Sequence, residues 1–194
     1  MKSAFHYILI LFLLGIAVGC AKKVTRVDTN SDIDLSGRWN DADSRRVAES
    51  LSESVLNSQW RENFVRRHNR RPVVIVGLIT NKSHEHIEPE TFIKDIEKEF
   101  VRSGLVRLVQ HSEFREKLRQ ERADQQDFAS PDAQKRWGAE LGADYMMLGT
   151  INSIVDSEGR KQVTFYQTDL ELADLESNEI VWIDGKKIKK YITG

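Results

Sequence analysis

The chain has 194 residues, 40% of them hydrophobic and 30% charged, with a formal net charge of -1. That is enough apolar material for one globular domain with small appendages, and too even a charge balance for a nucleic-acid binder. Three prolines and the lack of any Gly/Ser-rich or Gln/Asn-rich tract exclude a low-complexity chain, and a single cysteine, Cys20, excludes an internal disulfide.

The N-terminus is the most asymmetric part of the chain. Lys2 precedes an apolar run from Ala4 to Val18. This run is short of the roughly 20 apolar residues that a transmembrane helix needs, and has the length of a secretory h-region. Small residues, Ala17 and Gly19, lead directly to Cys20, and the chain turns polar at once. The run Ala17-Val18-Gly19-Cys20 resembles a bacterial lipobox. The resemblance implies cleavage before Cys20, a lipid on its sulfur, and acyl chains that make membrane attachment stable. Many such lipoproteins are retained at the inner membrane by Asp just after the cysteine. Ala21 and Lys22 stand there instead, which points to the periplasmic face of the outer membrane. The expected organisation is a signal peptide over residues 1–19, a lipidated N-terminus and flexible tether over 20–36, and a globular periplasmic domain over 37–194.

The first helix is expected to start near Asp41 or Asp43, where an acid meets the free N–H groups and the positive end of the dipole. Val47, Ala48, Leu51 and Val55 share a face, and Leu56, Trp60 and Phe64 continue a row at spacing four. The segment ends on Arg66, Arg67, His68, Arg70 and Arg71, and Pro72 stops it. Val73 to Ile79 is a β-branched run and predicts a buried strand. Pro89 suits a first helical position, Phe92, Ile93, Ile96 and Phe100 form a stripe, and Gly104 suits a stop. Leu105 to Val109 predicts a second strand. Ser112 and Ser130-Pro131 each predict a helix start, the second carrying Ala133, Trp137 and Leu141 on one face. Three strands follow, Tyr145 to Ile154, Gln162 to Ala173 and Glu179 to about Tyr191, joined by turn-rich connections. Asp184-Gly185 reads as a bulge or a further turn. The order implies an α+β fold: one small domain, its mixed sheet ending in an antiparallel three-stranded meander and flanked by helices.

Ser36-Gly37-Arg38-Trp39-Asn40-Asp41-Ala42-Asp43-Ser44 before the first helix, Arg71-Pro72-Val73-Val74 before the first strand and Leu141-Gly142-Ala143-Asp144-Tyr145 before the later strands resemble the LpoB family, over about Asp34 to Tyr191. The last of these elements also occurs in TolB N-terminal-domain-like modules and curli-secretion lipoproteins. The resemblance implies a non-catalytic outer-membrane lipoprotein. Its domain would dock on a small accessory domain of a bifunctional class A penicillin-binding protein and stimulate peptidoglycan synthesis. Well-known members carry a long Pro-rich tether. Ala21 to Ser36 is much shorter, spanning roughly 55 Å fully stretched at about 3.4 Å per residue. The other reading of the same module is an envelope scaffold or secretion-associated lipoprotein that oligomerises.

No catalytic constellation stands out, and neither a metal nor a cofactor is expected. The sequence holds no Gly-rich phosphate loop, and nothing in it calls for a small-molecule substrate. His84-x-His86 in a polar loop reads as solvated rather than as a metal site without further ligands. Asp169 and Glu171 share a strand face that is expected to be solvent-exposed. Two features bear on partner binding. Arg66, Arg67, Arg70 and Arg71 form a docking patch or a solvated helix end. Trp39 is an anchor for a partner or a pin packed back on the domain.

Overall fold

The computed structural model describes residues 23–29, 31–110 and 142–193, and the chain divides into two units, Met1–Ser31 and Asp32–Gly194. The described residues of the first unit carry no helix or strand; Ser31 closes a turn by donating its N–H to the Asp28 carbonyl at 3.1 Å. The expected helices at Ser112 and Ser130-Pro131, with Trp137, lie outside the described residues.

In the second unit the first helix, α1, spans Asp41–Leu56. Its cap is Asn40: the Asn40 side chain accepts the Asp43 N–H at 3.0 Å, and the Asp43 carboxylate accepts the Asn40 N–H at 3.0 Å. Asp43 therefore acts at the start of the helix, but from its third position, in a reciprocal capping box. The row continuing through Trp60 and Phe64 belongs to a separate helix, α2, Gln59–His68. The break at Asn57 and Ser58 is held by side chains. The Trp60 indole donates to the Val55 carbonyl at 2.7 Å and the Arg61 guanidinium to the Leu56 carbonyl at 2.9 Å. Both carbonyls belong to the last turn of α1, where no helical N–H is left for them. Asn69, with φ 51°, ends α2 in the left-handed region.

Strand β1 spans Val73–Asn81, and helix α3 spans Pro89–Ser103 with proline in its first turn and Gly104, φ 63°, at its end. The second expected strand is present as β2, only Arg107–Leu108. Three strands of equal length follow: β3 Tyr145–Glu158, β4 Lys161–Asp174 and β5 Ile180–Thr193. The sheet order is β2-β1-β3-β4-β5. β1 runs parallel to β2 and β3, while β3, β4 and β5 pair antiparallel. This is the expected mixed sheet with a terminal meander.

Asp184-Gly185 is neither a bulge nor a turn. Gly185 pairs squarely with Asp169, and the irregularity of β5 lies earlier, where Leu172 faces Trp182 and Ala173 faces Ile180. Glycine at 185 accommodates a close cross-strand approach: a Cβ there would displace the Asp169 carboxylate and come within 3.2 Å of the Thr168 carbonyl. The pairing of β1 with β3 also shifts, between Val76 and Ile79, beside Gly77.

The core sits between one face of the sheet and the helices. Val47, Leu51 and Val55 of α1, Trp60 and Phe64 of α2, and Phe92, Ile96 and Phe100 of α3 meet Val74, Val76 and Ile79 of β1, Met147 and Ile151 of β3, and Leu170 and Leu172 of β4. On β4 the alternation is complete: Thr164, Tyr166, Thr168, Leu170 and Leu172 are buried, while Val163, Phe165, Gln167, Asp169, Glu171 and Ala173 are half-buried on the opposite face.

Candidate functional site

β1 pairs with β3 only as far as Ile151, so the far ends of β3, β4 and β5 project beyond it. The segment Asp34–Asn40 and the loop after β1 line their inner side. Glu85 of that loop ties the parts together. One carboxylate oxygen accepts the Trp39 backbone N–H at 3.0 Å and the other the Tyr166 hydroxyl at 2.6 Å. Burial, reinforced by the bond to Glu85, raises the Tyr166 phenol above its ordinary range, so it stays protonated and donates to the Glu85 carboxylate. The Trp39 indole N–H donates to Ser44 at 2.7 Å, and its ring meets Tyr166 edge-on at 5.5 Å. Trp39 is therefore half-buried with both N–H groups engaged. An open cleft of about 600 Å3 beside it is lined by Arg38, His84, His86 and Gln162.

Lys190 is the second tie. Its ammonium bridges Asp34 at 2.7 Å and Asp43 at 2.6 Å and donates to the Arg38 carbonyl at 2.8 Å. Burial lowers its pKa, but the hydrogen bonds to the two carboxylates outweigh that and raise it overall. Sequence reasoning passed over this residue, although one signal was legible. Strand parity puts Lys190 on the same face as Ile188 and Ile192, hence inward. Asp34 falls within the expected tether, yet it is held to β5 here.

The arginine run separates into different roles. Arg66 bonds Asn63 one turn back on α2. Arg70 grips Asp144 with two bonds of 2.7 Å and lies 4.8 Å over the Phe64 ring. Arg71 donates to the Gly104 carbonyl at 2.8 Å. Burial pushes the Asp144 carboxyl up, but Arg70 and the Val73 N–H outweigh it and hold it below the ordinary carboxylate range. Arg67 is exposed and has no hydrogen-bond or ion-pair partner among the described residues. It borders two open clefts, of about 400 and 740 Å3, at the end of the sheet. The larger one has an aromatic lining of Trp60, Phe64, Tyr145 and Trp182, in which Trp60 and Tyr145 meet edge-on at 4.9 Å.

Among the described residues, no other arrangement of side chains suggests chemistry. His84 contacts Ser153 at 2.5 Å, and among the described residues no group of three or more His, Cys, Asp or Glu side chains could hold a metal. Asp169 accepts two bonds of 2.9 Å from the Gln167 amide, and Asp169 and Glu171 are half-buried on their strand face rather than fully solvent-exposed as expected. Cys20 lies outside the described residues. No described helix is long and apolar enough to cross a membrane.

The profile of LpoB, the peptidoglycan-synthase activator, matches residues 43–188 of the chain. No curated protein sequence matches. Among solved structures, the LpoB C-terminal domain from Salmonella enterica is similar over 75% of this chain and 98% of its own, with 13% identity and a TM-score of 0.43. The LpoB C-terminal domain from Escherichia coli is similar over 78% of this chain and 99% of its own, at 14% identity and a TM-score of 0.41. The lipoprotein GNA1162 from Neisseria meningitidis is similar over 63% of this chain and 84% of its own, at 13% identity and a TM-score of 0.39. With the profile running from the capping box of α1 to the inward face of β5, the chain belongs to the LpoB family of peptidoglycan-synthase activators.

Proposed function

We propose that this protein is an outer-membrane lipoprotein, anchored through Cys20 on the periplasmic face, that binds and activates a bifunctional class A penicillin-binding protein without catalysing a reaction itself. The observation that carries the reading is the family match over residues 43–188, that is, over nearly the whole folded unit. The lipobox-like run at Cys20 supports the anchor. The three clefts described, lined by Arg38, His84 and His86, by Arg67 and Asp174, and by aromatic side chains, are open surfaces that suit a binding role.

Within the arginine run, Arg67 is the residue free to meet a partner, while Arg66, Arg70 and Arg71 hold the domain's own groups. Trp39 serves the domain as a pin. The test is direct. The purified protein is titrated into a detergent-solubilised class A penicillin-binding protein, and both binding and glycan polymerisation are followed. Saturable binding with faster polymerisation is expected; neither binding nor stimulation would sink the reading.

A further inference from the structure

Among the described residues, the last strand leaves one side of the sheet unpaired. β5 is the edge of the sheet, and among the described residues no strand pairs with its outer side along Ile180–Thr193. The opposite edge is the two-residue β2. A long edge offers a row of backbone donors and acceptors to any extended chain. Its side chains decide which chain it accepts.

Along the outer face of β5, every second residue is Ile183, Gly185, Lys187, Lys189 and Tyr191, all exposed. Ile183 and Tyr191 are 64% and 63% exposed, large for apolar groups on a strand. Lys186 on the other face is exposed as well. Unlike Lys190, these three lysines hold no ion pair among the described residues. Their β4 neighbours carry no charge: Lys186 faces Thr168, Lys187 faces Gln167 and Lys189 faces Phe165. The nearby acids are engaged elsewhere, Asp169 with Gln167 and Asp184 with the Ser54 hydroxyl at 2.6 Å.

A second copy of this chain is a poor occupant. Antiparallel pairing of β5 with itself around this stretch sets lysine opposite or diagonal to lysine, and like charges across a ladder repel. The same charges favour an acidic strand. We infer that the free edge of β5 docks an extended, acidic segment of a partner protein by strand addition. Its outward side chains would alternate as apolar opposite Ile183, acidic opposite Lys187 and Lys189, and apolar opposite Tyr191. Backbone bonds would supply affinity, and this alternation the specificity. Only the identification of that partner as the peptidoglycan synthase rests on the function proposed above.

The experiment uses the full chain in detergent and a short synthetic peptide with two glutamates at alternate positions flanked by valines. Saturable binding is expected, with slowed amide hydrogen exchange confined to β5. The double variant Lys187→Glu/Lys189→Glu, whose exposed positions leave the melting temperature unchanged, should bind at least about tenfold more weakly. Absence of peptide binding, protection elsewhere, or binding that survives the reversal overturns the inference. So does a chain that ignores the peptide but sediments with phosphatidylglycerol vesicles through the same lysines, which would assign the edge to a lipid surface. The peptide is then offered as a competitor to a class A penicillin-binding protein already bound. Displacement identifies the synthase as the acidic partner. A peptide that occupies β5 without displacing the synthase upholds strand addition and separates it from the synthase contact.

Discussion

Asp144 shows how a single carboxylate can bind separate parts of the fold. It accepts two bonds from Arg70 and one from the Val73 N–H at 2.7 Å, joining the end of α2, the start of β1 and the start of β3. Because its pKa is lowered in the folded state, its stabilising contribution is complete above the ordinary carboxylate range. It is lost as the pH falls through that lowered pKa. Asp144→Asn should therefore cost about 1–2 kcal/mol at neutral pH, a modest figure because Arg70 stays half in solvent. The gap between wild type and variant should close in acid; melting curves at several pH values check both points. Lys190 carries more. The Lys190 side chain is 10% exposed and the Asp43 side chain 6%, so Lys190→Met leaves a buried carboxylate without its counter-charge. A loss of about 3 kcal/mol is expected in denaturant titrations, the low end for a buried pair because Asp34 is hydrated. Neither role was assigned from the sequence. Both depend on contacts between residues far apart in the chain, which periodicity does not report.

At the scale of elements, amphipathic spacing was the dependable signal. The stripe Phe92, Ile93, Ile96 and Phe100 between Pro89 and Gly104 located α3 to the residue, since proline and glycine mark the two ends by backbone geometry alone. Phe100 is 1% exposed, so Phe100→Ala should destabilise the domain by about 3–5 kcal/mol; an unchanged melting temperature would contradict the packing of α3. The division of β4 into two faces was likewise legible, because successive strand residues point to opposite sides. The spacing that ran through Trp60 and Phe64 did not reveal the break between α1 and α2. A turn of two polar residues, Asn57 and Ser58, preserves an apolar row at spacing four, and the break is held by Trp60 and Arg61 reaching carbonyls of the preceding helix. At Asp184-Gly185 the composition suggested a turn or bulge. The glycine answers a cross-strand approach instead.

For the molecule as a whole, the proposed anchor at Cys20 would decide where the domain can act. Asp32 pairs with Arg45 and Arg46, and Asp34 with Lys190, so the second unit already holds the chain from Asp32 onward. If the anchor is at Cys20, Ala21 to Ser31 lies between it and the second unit, roughly 37 Å at full stretch at about 3.4 Å per residue. Cys20→Ala should release the protein from the outer-membrane fraction, as fractionation would show. Deleting Lys22 to Ser31 should abolish activity in cells yet leave binding by the purified protein intact. A deletion without cellular effect would place the partner at the outer membrane itself. By itself, the sequence determined the α+β class, the strand order within the described residues, the terminal meander and the family, since these follow from local periodicity, turn chemistry and short motifs. Only the tertiary structure decided that Asp34 is bonded to β5, which groups of the domain Trp39, Arg66, Arg70 and Arg71 contact, and that Lys190 turns inward while its neighbours line an edge unpaired among the described residues. Those outcomes rest on which distant groups meet and which charges are thereby neutralised, and neither is encoded in the spacing of residues along one element.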